Sequence, residues 1–343
     1  MRAASVDVLS SLQSVCGEHG LDALRSRLAG LESILRWDMQ VIAQGLAELP
    51  RGDARVQRAA HHLLDQGGKR LRPMCVALAS HVGTGLDARG AQLAIAVELV
   101  HAATLLHDDV VDLGDTRRGA PAARSVYGNA ASIFAGDWLL IDALRRVRKA
   151  RVADTLDRLL DVIEEMIFAE SLQLERRGRA DTSVADYFRI VEGKTAVLFQ
   201  WACFAGGRAG GLDDVACAHL ESFGRHLGVA FQLVDDLLDY DGDAATTGKS
   251  LFADLREGKL THPLLVARDA DRRVRDDLTT LLDGGDRELE RRIVQGVRPY
   301  LDVTRDRATR SIAEAFAHLE ALPEGPAKEG MRTVALAVVE RRR

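Results

Sequence analysis

The sequence predicts an all-α protein. Apolar residues recur at helical spacing along nearly the whole chain, only seven prolines interrupt it, and no alternating, β-branched run is bounded by hairpin turns. Breaks fall at "ELPRGD" (48 to 53), "HVGTGLDARG" (81 to 90), "ERRGRADTS" (175 to 183), "GGRAGGLDD" (206 to 214), "DGDAATTGKS" (241 to 250) and "DGGDRE" (283 to 288), and the segments between them have helical length. The first 30 or so residues carry a helical pattern and read as an appended arm. Ser183 with Asp186 forms a capping-box pattern that opens the helix holding "YFRIVEGKTAVLFQWACF". No internal linker is long or polar enough to mark a boundary, so residues 1–343 read as a single domain.

With 343 residues, 47% of them hydrophobic and 28% charged, the chain can bury a large core. A net charge of -5 and a pI near 6.1 give no overall basic field for nucleic acid. No run reaches the about 18 uncharged apolar residues of a membrane span, and the start lacks a charged n-region followed by an apolar h-region, so the expected location is the cytoplasm. Cys16, Cys75, Cys203 and Cys217 are scattered, which suggests neither a zinc site nor a disulfide framework.

The chemistry begins at "LLHDDVVDLGDTRRGAP" (105 to 121). At 100° per residue, Asp108 and Asp112 point the same way one turn apart, and Asp109 sits on the adjoining flank. Unpaired, three carboxylates would repel one another and resist desolvation at the end of the apolar run "AVELVHAATLL". One such triplet reads equally well as a solvated helix end. The same i, i+1, i+4 spacing returns in "FQLVDDLLDYDGD" as Asp235, Asp236 and Asp239, again after an apolar run. Six carboxylates offer hard oxygen ligands with no nitrogen or sulfur, which suits Mg²⁺, and Mg²⁺ usually shares its shell with phosphates.

Cations recur beside these acids. "GGKRLRP" supplies Lys69, Arg70 and Arg72, "DTRRG" supplies Arg117 and Arg118, and "EGKTA" supplies Lys194. Arginine's planar fork suits bidentate phosphate binding, lysine adds a point charge, and the glycines let backbone approach an anion. Each cluster by itself could be a solvated loop.

From "HHLLDQGGKRLRP" to "VALAVVERRR" the chain resembles the trans-polyprenyl diphosphate synthases, in particular the long-chain octaprenyl and heptaprenyl members. "LLHDDVVDLGDTRRG" and "FQLVDDLLDYDGD" look like that family's two aspartate-rich motifs, and "GGKRLRP", "EGKTA" and "ADLREGKLTHP" match its other blocks in order. The resemblance implies a bundle of mostly antiparallel helices around a central cavity, a homodimer, and three Mg²⁺ per site when substrate is bound. It implies head-to-tail condensation of isopentenyl diphosphate with an allylic diphosphate by ionisation, condensation and elimination. Mg²⁺ would be held by Asp108, Asp112 and Asp235, with Asp109, Asp236 and Asp239 in support. Arg117, Lys194 and Lys259, with Lys249 near the mouth, would clamp the allylic diphosphate. Isopentenyl diphosphate would sit on Lys69, Arg72, His101 and Arg118, and Thr195 and Gln232 would steady the cation or its diphosphate. Residues 241 to 259 would close as a lid. Three positions depart from the pattern: Phe252 and Ala169 stand where glycine is expected, and His262 where leucine is usual.

Product length is expected to follow the bulk beneath Asp108. Ala103 and Thr104, one turn before it, are small where farnesyl-making relatives carry aromatics, and Val100, Val97 and Ala96 farther inward are not large blockers either. Each turn adds about 5.4 Å, roughly one isoprene unit. Phe134 and Trp138, four apart on the next helix, are a candidate floor, with ordinary core packing as the alternative. The expected product is longer than geranylgeranyl diphosphate, in the hexaprenyl to decaprenyl range, with geranylgeranyl diphosphate as the alternative; its release would allow transient membrane contact. A class I terpene cyclase would normally carry a second motif mixing Asn or Asp with Ser/Thr and Glu, and a regulatory subunit would be expected to have lost an acid motif or its arginines. Neither pattern is present.

Overall fold

The computed structural model describes residues 22–241 and 252–340. Among these the chain is helical apart from one hairpin of two-residue strands, in agreement with the all-α expectation. The helices are α1 (Asp22–Ala47), α2 (Arg55–Leu64), α3 (Leu71–Val82), α4 (Ala88–Val111), α5 (Ala123–Tyr127), α6 (Asn129–Ala150), α7 (Thr155–Arg176), α8 (Val184–Val191), α9 (Val197–Ala209) and α10 (Asp214–Asp241). They continue with α11 (Ala253–Arg256), α12 (His262–Ala270), α13 (Arg272–Leu282), α14 (Arg287–Val297), α15 (Leu301–Glu320) and α16 (Pro326–Val339). Strands β1 (Thr116–Arg117) and β2 (Ala120–Pro121) pair antiparallel. Contacts divide the chain into two compact units. Unit 1 holds the described residues through Leu160, with Leu198–Gly224 and His318–Val334; unit 2 holds Asp161–Val197, Arg225–Ala317 and the residues from Ala335 onward.

Helix α4 is the core of unit 1. Asp87 caps it by accepting the amides of Arg89 and Gly90 at 2.9 and 2.8 Å, and Leu93, Ile95, Val97, Leu99 and Leu106 along it are wholly buried. It is also long and apolar enough to cross a membrane, but most of it is covered by protein, as in the central helix of a packed unit. The face of α6 toward α4 is built of small residues, Ala131, Ser132, Ala135, Gly136 and Ala143, which allow close helix approach. The Ser132 hydroxyl donates to the Leu106 carbonyl at 2.8 Å, and a β-carbon at Gly136 would collide with the His107 ring. Burying each Leu, Ile or Val here is worth about 1.5–3 kcal/mol.

Helix α1 docks on α3 partly through the buried Asp38, whose Oδ2 lies 2.6 Å from His81 Nε2. The hydrogen bond to Asp38 raises the His81 pKa despite its burial. Its stabilising contribution is therefore complete below the ordinary histidine value and is lost as pH rises through the raised one. Thermal melts of wild type and His81→Gln should accordingly differ most below about pH 6.5 and converge at alkaline pH. A pH-independent difference would show that the ion pair does not hold α1.

In unit 2 one apolar cluster gathers Tyr187 and Val191 of α8, Leu233, Leu237 and Tyr240 of α10, Leu255 of α11, Leu264 and Leu265 of α12, and Val274 and Leu278 of α13. The capping box at its entrance is complete: the Asp186 amide donates to Ser183 Oγ at 3.0 Å and the Ser183 amide to Asp186 Oδ2 at 3.2 Å. After Val191 the helix widens into one π turn, Glu192–Ala196, before α9 resumes. Such bulges mark functional positions more often than ordinary turns do.

Candidate active site

In unit 1 the first acid triplet ends α4. Asp109 is completely buried, and its Oδ1 accepts both Nε and Nη2 of Arg117, at 2.9 and 2.5 Å. Asp108 and Asp112 on either side are only half-buried. Arg117 reaches back because the chain reverses in a two-residue turn whose central residues, Arg118 and Gly119, both have positive φ (53° and 76°). Two-residue strands are too short to leave an alternating pattern in the sequence.

The same turn turns Arg118 toward the "GGKRLRP" loop, where a β-carbon on Gly68 would lie 2.9 Å from its Nη2. Arg72 stacks on Phe199, its Cζ 4.4 Å from the ring centroid, while Lys69 is exposed. Among these cations lies Glu98, a buried carboxylate absent from the sequence-based site. Burial raises its pKa, and Arg72, Arg118 and Arg70 pull it back down. His101, one turn on, is held well below the ordinary histidine pKa by burial and by Arg72, Arg118 and Arg117, which favours the neutral ring. Arg70 Nη1 is buried with no hydrogen-bond partner among the described residues, as befits a cradle built for an anion.

Unit 2 repeats the build of the first triplet. Asp236, the middle acid, is buried, whereas Asp235 and Asp239 are half-buried. Tyr187 donates to Asp236 Oδ2 at 2.6 Å and Gln232 Nε2 to Oδ1 at 2.9 Å, and Thr195 Oγ1 donates to Gln232 Oε1 at 3.0 Å. Burial, then repulsion from Asp254, pushes the Asp236 carboxyl up to about 8 against those two hydrogen bonds. Tyr187 and Asp254 were missed at the sequence level. Tyr187 lies 49 residues from its partner, too far for any local spacing rule to connect them.

The cations of unit 2 have partners. Lys194 projects from the π turn onto Glu170, and Lys259 Nζ lies 2.7 Å from Glu257. Gly193 is needed in that turn because a β-carbon there would sit 2.7 Å from Ala169 Cβ, which gives Ala169 a packing role. His262 is buried at the start of α12: its amide donates to Asp236 Oδ2 at 3.4 Å and its Nδ1 lies 2.8 Å from Thr304 Oγ1. Burial, with Arg307 and Arg310, lowers its pKa to about 4, so the ring replaces leucine as a neutral side chain against Tyr187 and Phe188. Lys249 and most of the expected lid lie outside the described residues.

Both triplets suit a hard divalent cation. Asp109 Oδ2 is buried without a hydrogen-bond partner among the described residues, and in each triplet the middle acid is buried and held by protein donors while the outer two are half-buried. No three acidic, histidine or cysteine side chains converge on one point among the described residues. A cation there would complete its shell with phosphate or water oxygens, as Mg²⁺ does.

The chain-length positions need correction. Phe134 is 59% exposed, so it is neither an enclosed floor nor a core side chain within unit 1. The small face of α6 packs on α4, which turns Phe134 outward, and Trp138 is half-buried beside His61 with ring centroids 6.4 Å apart. On α4, His101, Thr104, Leu105 and Asp108 form a half-buried stripe, but Ala96, Val97, Val100 and Ala103 are packed against protein and touch no open channel. Thr104, four residues before Asp108, is therefore the small residue that shares its face.

Comparison with known proteins places these features in context. The family profile described as Polyprenyl synthetase matches residues 53–297. The octaprenyl diphosphate synthase of Escherichia coli (strain K12) is 33% identical over 322 residues, covering 92% of this chain and 99% of that protein. Component 2 of the heptaprenyl diphosphate synthase of Geobacillus stearothermophilus is 30% identical, with 92% and 99% covered. A polyprenyl synthase from Caulobacter crescentus CB15, crystallised with calcium and isoprenyl diphosphate, superposes with a TM-score of 0.87 at 34% identity, covering 92% of this chain and 98% of that one.

Proposed function

The chain belongs to the polyprenyl synthetase family and is a prenyltransferase of the all-α isoprenoid-synthase fold; from this we propose that it elongates an allylic diphosphate with isopentenyl diphosphate, in the presence of Mg²⁺, to a product longer than twenty carbons. The observation that carries the reading is the twofold occurrence of a buried, protein-tied aspartate between two half-buried ones. Asp108 and Asp112 in unit 1 and Asp235 in unit 2 would be the metal ligands, and Asp109, Asp236 and Asp239 would keep those carboxylates oriented. Bound Mg²⁺, three ions in this reading, would neutralise charge building on the departing diphosphate and so favour ionisation of the allylic carbon–oxygen bond.

Lys194 and Lys259, released from Glu170 and Glu257, together with Arg117 and Lys249, receive the same diphosphate. Lys69, Arg72, His101 and Arg118 hold isopentenyl diphosphate so that its double bond attacks the allylic cation. Thr195 and Gln232 steady that cation or its diphosphate, and the proton lost in elimination passes to the released diphosphate. Both units act as parts of one synthase domain in this reading. The octaprenyl and heptaprenyl relatives support a long product. With isopentenyl diphosphate, an allylic primer and Mg²⁺, the purified chain is expected to consume both substrates and release diphosphate, and chelation should stop it. Diphosphate release without consumption of isopentenyl diphosphate would instead indicate a cyclase.

A homodimer is the proposed assembly. Ile133, Phe134 and Ile141 form an exposed apolar stripe on α6, and Leu160, Ile167, Phe168 and Leu174 another on α7, more than isolated chains usually leave to solvent. Light scattering should find a dimer that Phe134→Asp weakens, while Phe134→Ala should leave product length unchanged. A monomeric wild type would overturn the assembly, and shorter or longer products from Phe134→Ala would restore the residue as a floor. A second, different subunit is the alternative, since the heptaprenyl relative is one component of its enzyme.

A further inference from the structure

We propose that Phe252 is a positioning residue for Asp239 and so helps order the second acid motif of this chain. The inference rests on the proposed role of Asp239 in supporting bound Mg²⁺.

Phe252 has φ 63° and ψ 30°, a left-handed conformation that glycine adopts freely and that strains a residue bearing a β-carbon. The strain has a visible counterweight. The Phe252 ring packs on the apolar cluster of unit 2, with its centroid 6.0 Å from that of the buried Tyr240, whose hydroxyl accepts from Thr261 Oγ1 at 3.3 Å. Tyr240 directly follows Asp239.

The same left-handed turn aims two amides at Asp239. Phe252 N–H donates to its carbonyl at 3.3 Å and Ala253 N–H to its Oδ1 at 3.2 Å. Four residues on, Arg256 closes the far end of α11 on Glu290, with contacts of 2.5 and 3.2 Å. Glycine would permit this turn but could not anchor it. Phenylalanine accepts backbone strain and gains a ring that pins the turn to the core, so the Asp239 carboxylate is oriented before a metal arrives.

The test is calorimetric binding of Mg²⁺ with inorganic diphosphate to the full-length protein, alongside thermal melts. Phe252→Gly relieves the strain and should fold, yet its Mg²⁺ dissociation constant should rise about tenfold, the lower end of effects seen when a group orienting a metal ligand is lost. Phe252→Tyr, which keeps the ring, should bind as wild type does. Amide exchange at residues 252–254 of the metal-free protein should be faster in Phe252→Gly and unchanged in Phe252→Tyr. Unaltered Mg²⁺ binding by Phe252→Gly, whatever its melting temperature, would overturn the inference. A wild type that binds no Mg²⁺ with diphosphate would overturn the functional reading and this inference with it.

Discussion

Asp108→Ala and Asp235→Ala are each expected to lower turnover by more than about a hundredfold while leaving the fold intact. Loss of a group that merely orients a metal ligand commonly costs 10- to 100-fold, so loss of a ligand should exceed it. The structure makes these two the cleaner substitutions. Both side chains are half-buried on helices where alanine is well tolerated, and neither is the buried acid of its triplet. Asp109→Ala would strip Arg117 of its carboxylate, and Asp236→Ala would leave the Tyr187 hydroxyl and the Gln232 amide without their acceptor. Steady-state rates, read beside circular dichroism to verify folding, decide the matter. Near-normal turnover in both alanine variants would refute the ligand assignment.

Thr104→Phe is expected to shorten the product to farnesyl or geranylgeranyl diphosphate. Thr104 is a small, half-buried residue on the Asp108 face of α4, and its hydroxyl is occupied by the His101 carbonyl at 2.8 Å. A phenyl ring there would stand one helical turn, about 5.4 Å, below the acids and in the path of a growing tail. Ala103 is the poorer test. It is buried, so a ring at that position would be accommodated by displacing packed protein, and destabilisation would mask any effect on length. Chromatography of the dephosphorylated products reads the outcome. An unchanged long product from a folded Thr104→Phe would show that the tail does not follow this face.

What could be read without coordinates was whatever repeats at short range. Helical periodicity gave α4, α6 and α10, the Ser183–Asp186 pair gave the start of α8, and the DDxxD spacing gave two acid patches. What could not be read depends on contacts between distant residues or on burial. The phenol that holds Asp236 comes from another helix, Glu98 lies in an apolar run among arginines supplied by the start of α3, the residue before it and the hairpin, and the turn that brings Arg117 onto Asp109 depends on left-handed backbone at Arg118. Phe134 misled for a related reason. Two aromatics four apart show which helix face they share, but not whether that face turns inward. The departures at Phe252 and His262 stood out against the family resemblance, and only the structure supplied the Tyr240 and Thr304 contacts that accommodate them.

The most direct test of elongation is incubation of the purified protein with labelled isopentenyl diphosphate, Mg²⁺ and, in separate reactions, dimethylallyl, geranyl, farnesyl and geranylgeranyl diphosphates, followed by mass analysis. The account predicts a ladder of products spaced by one isoprene unit and ending at a single polyprenyl diphosphate longer than geranylgeranyl diphosphate. A cyclic hydrocarbon formed from one primer without incorporation of label, or no incorporation with any primer, would contradict it.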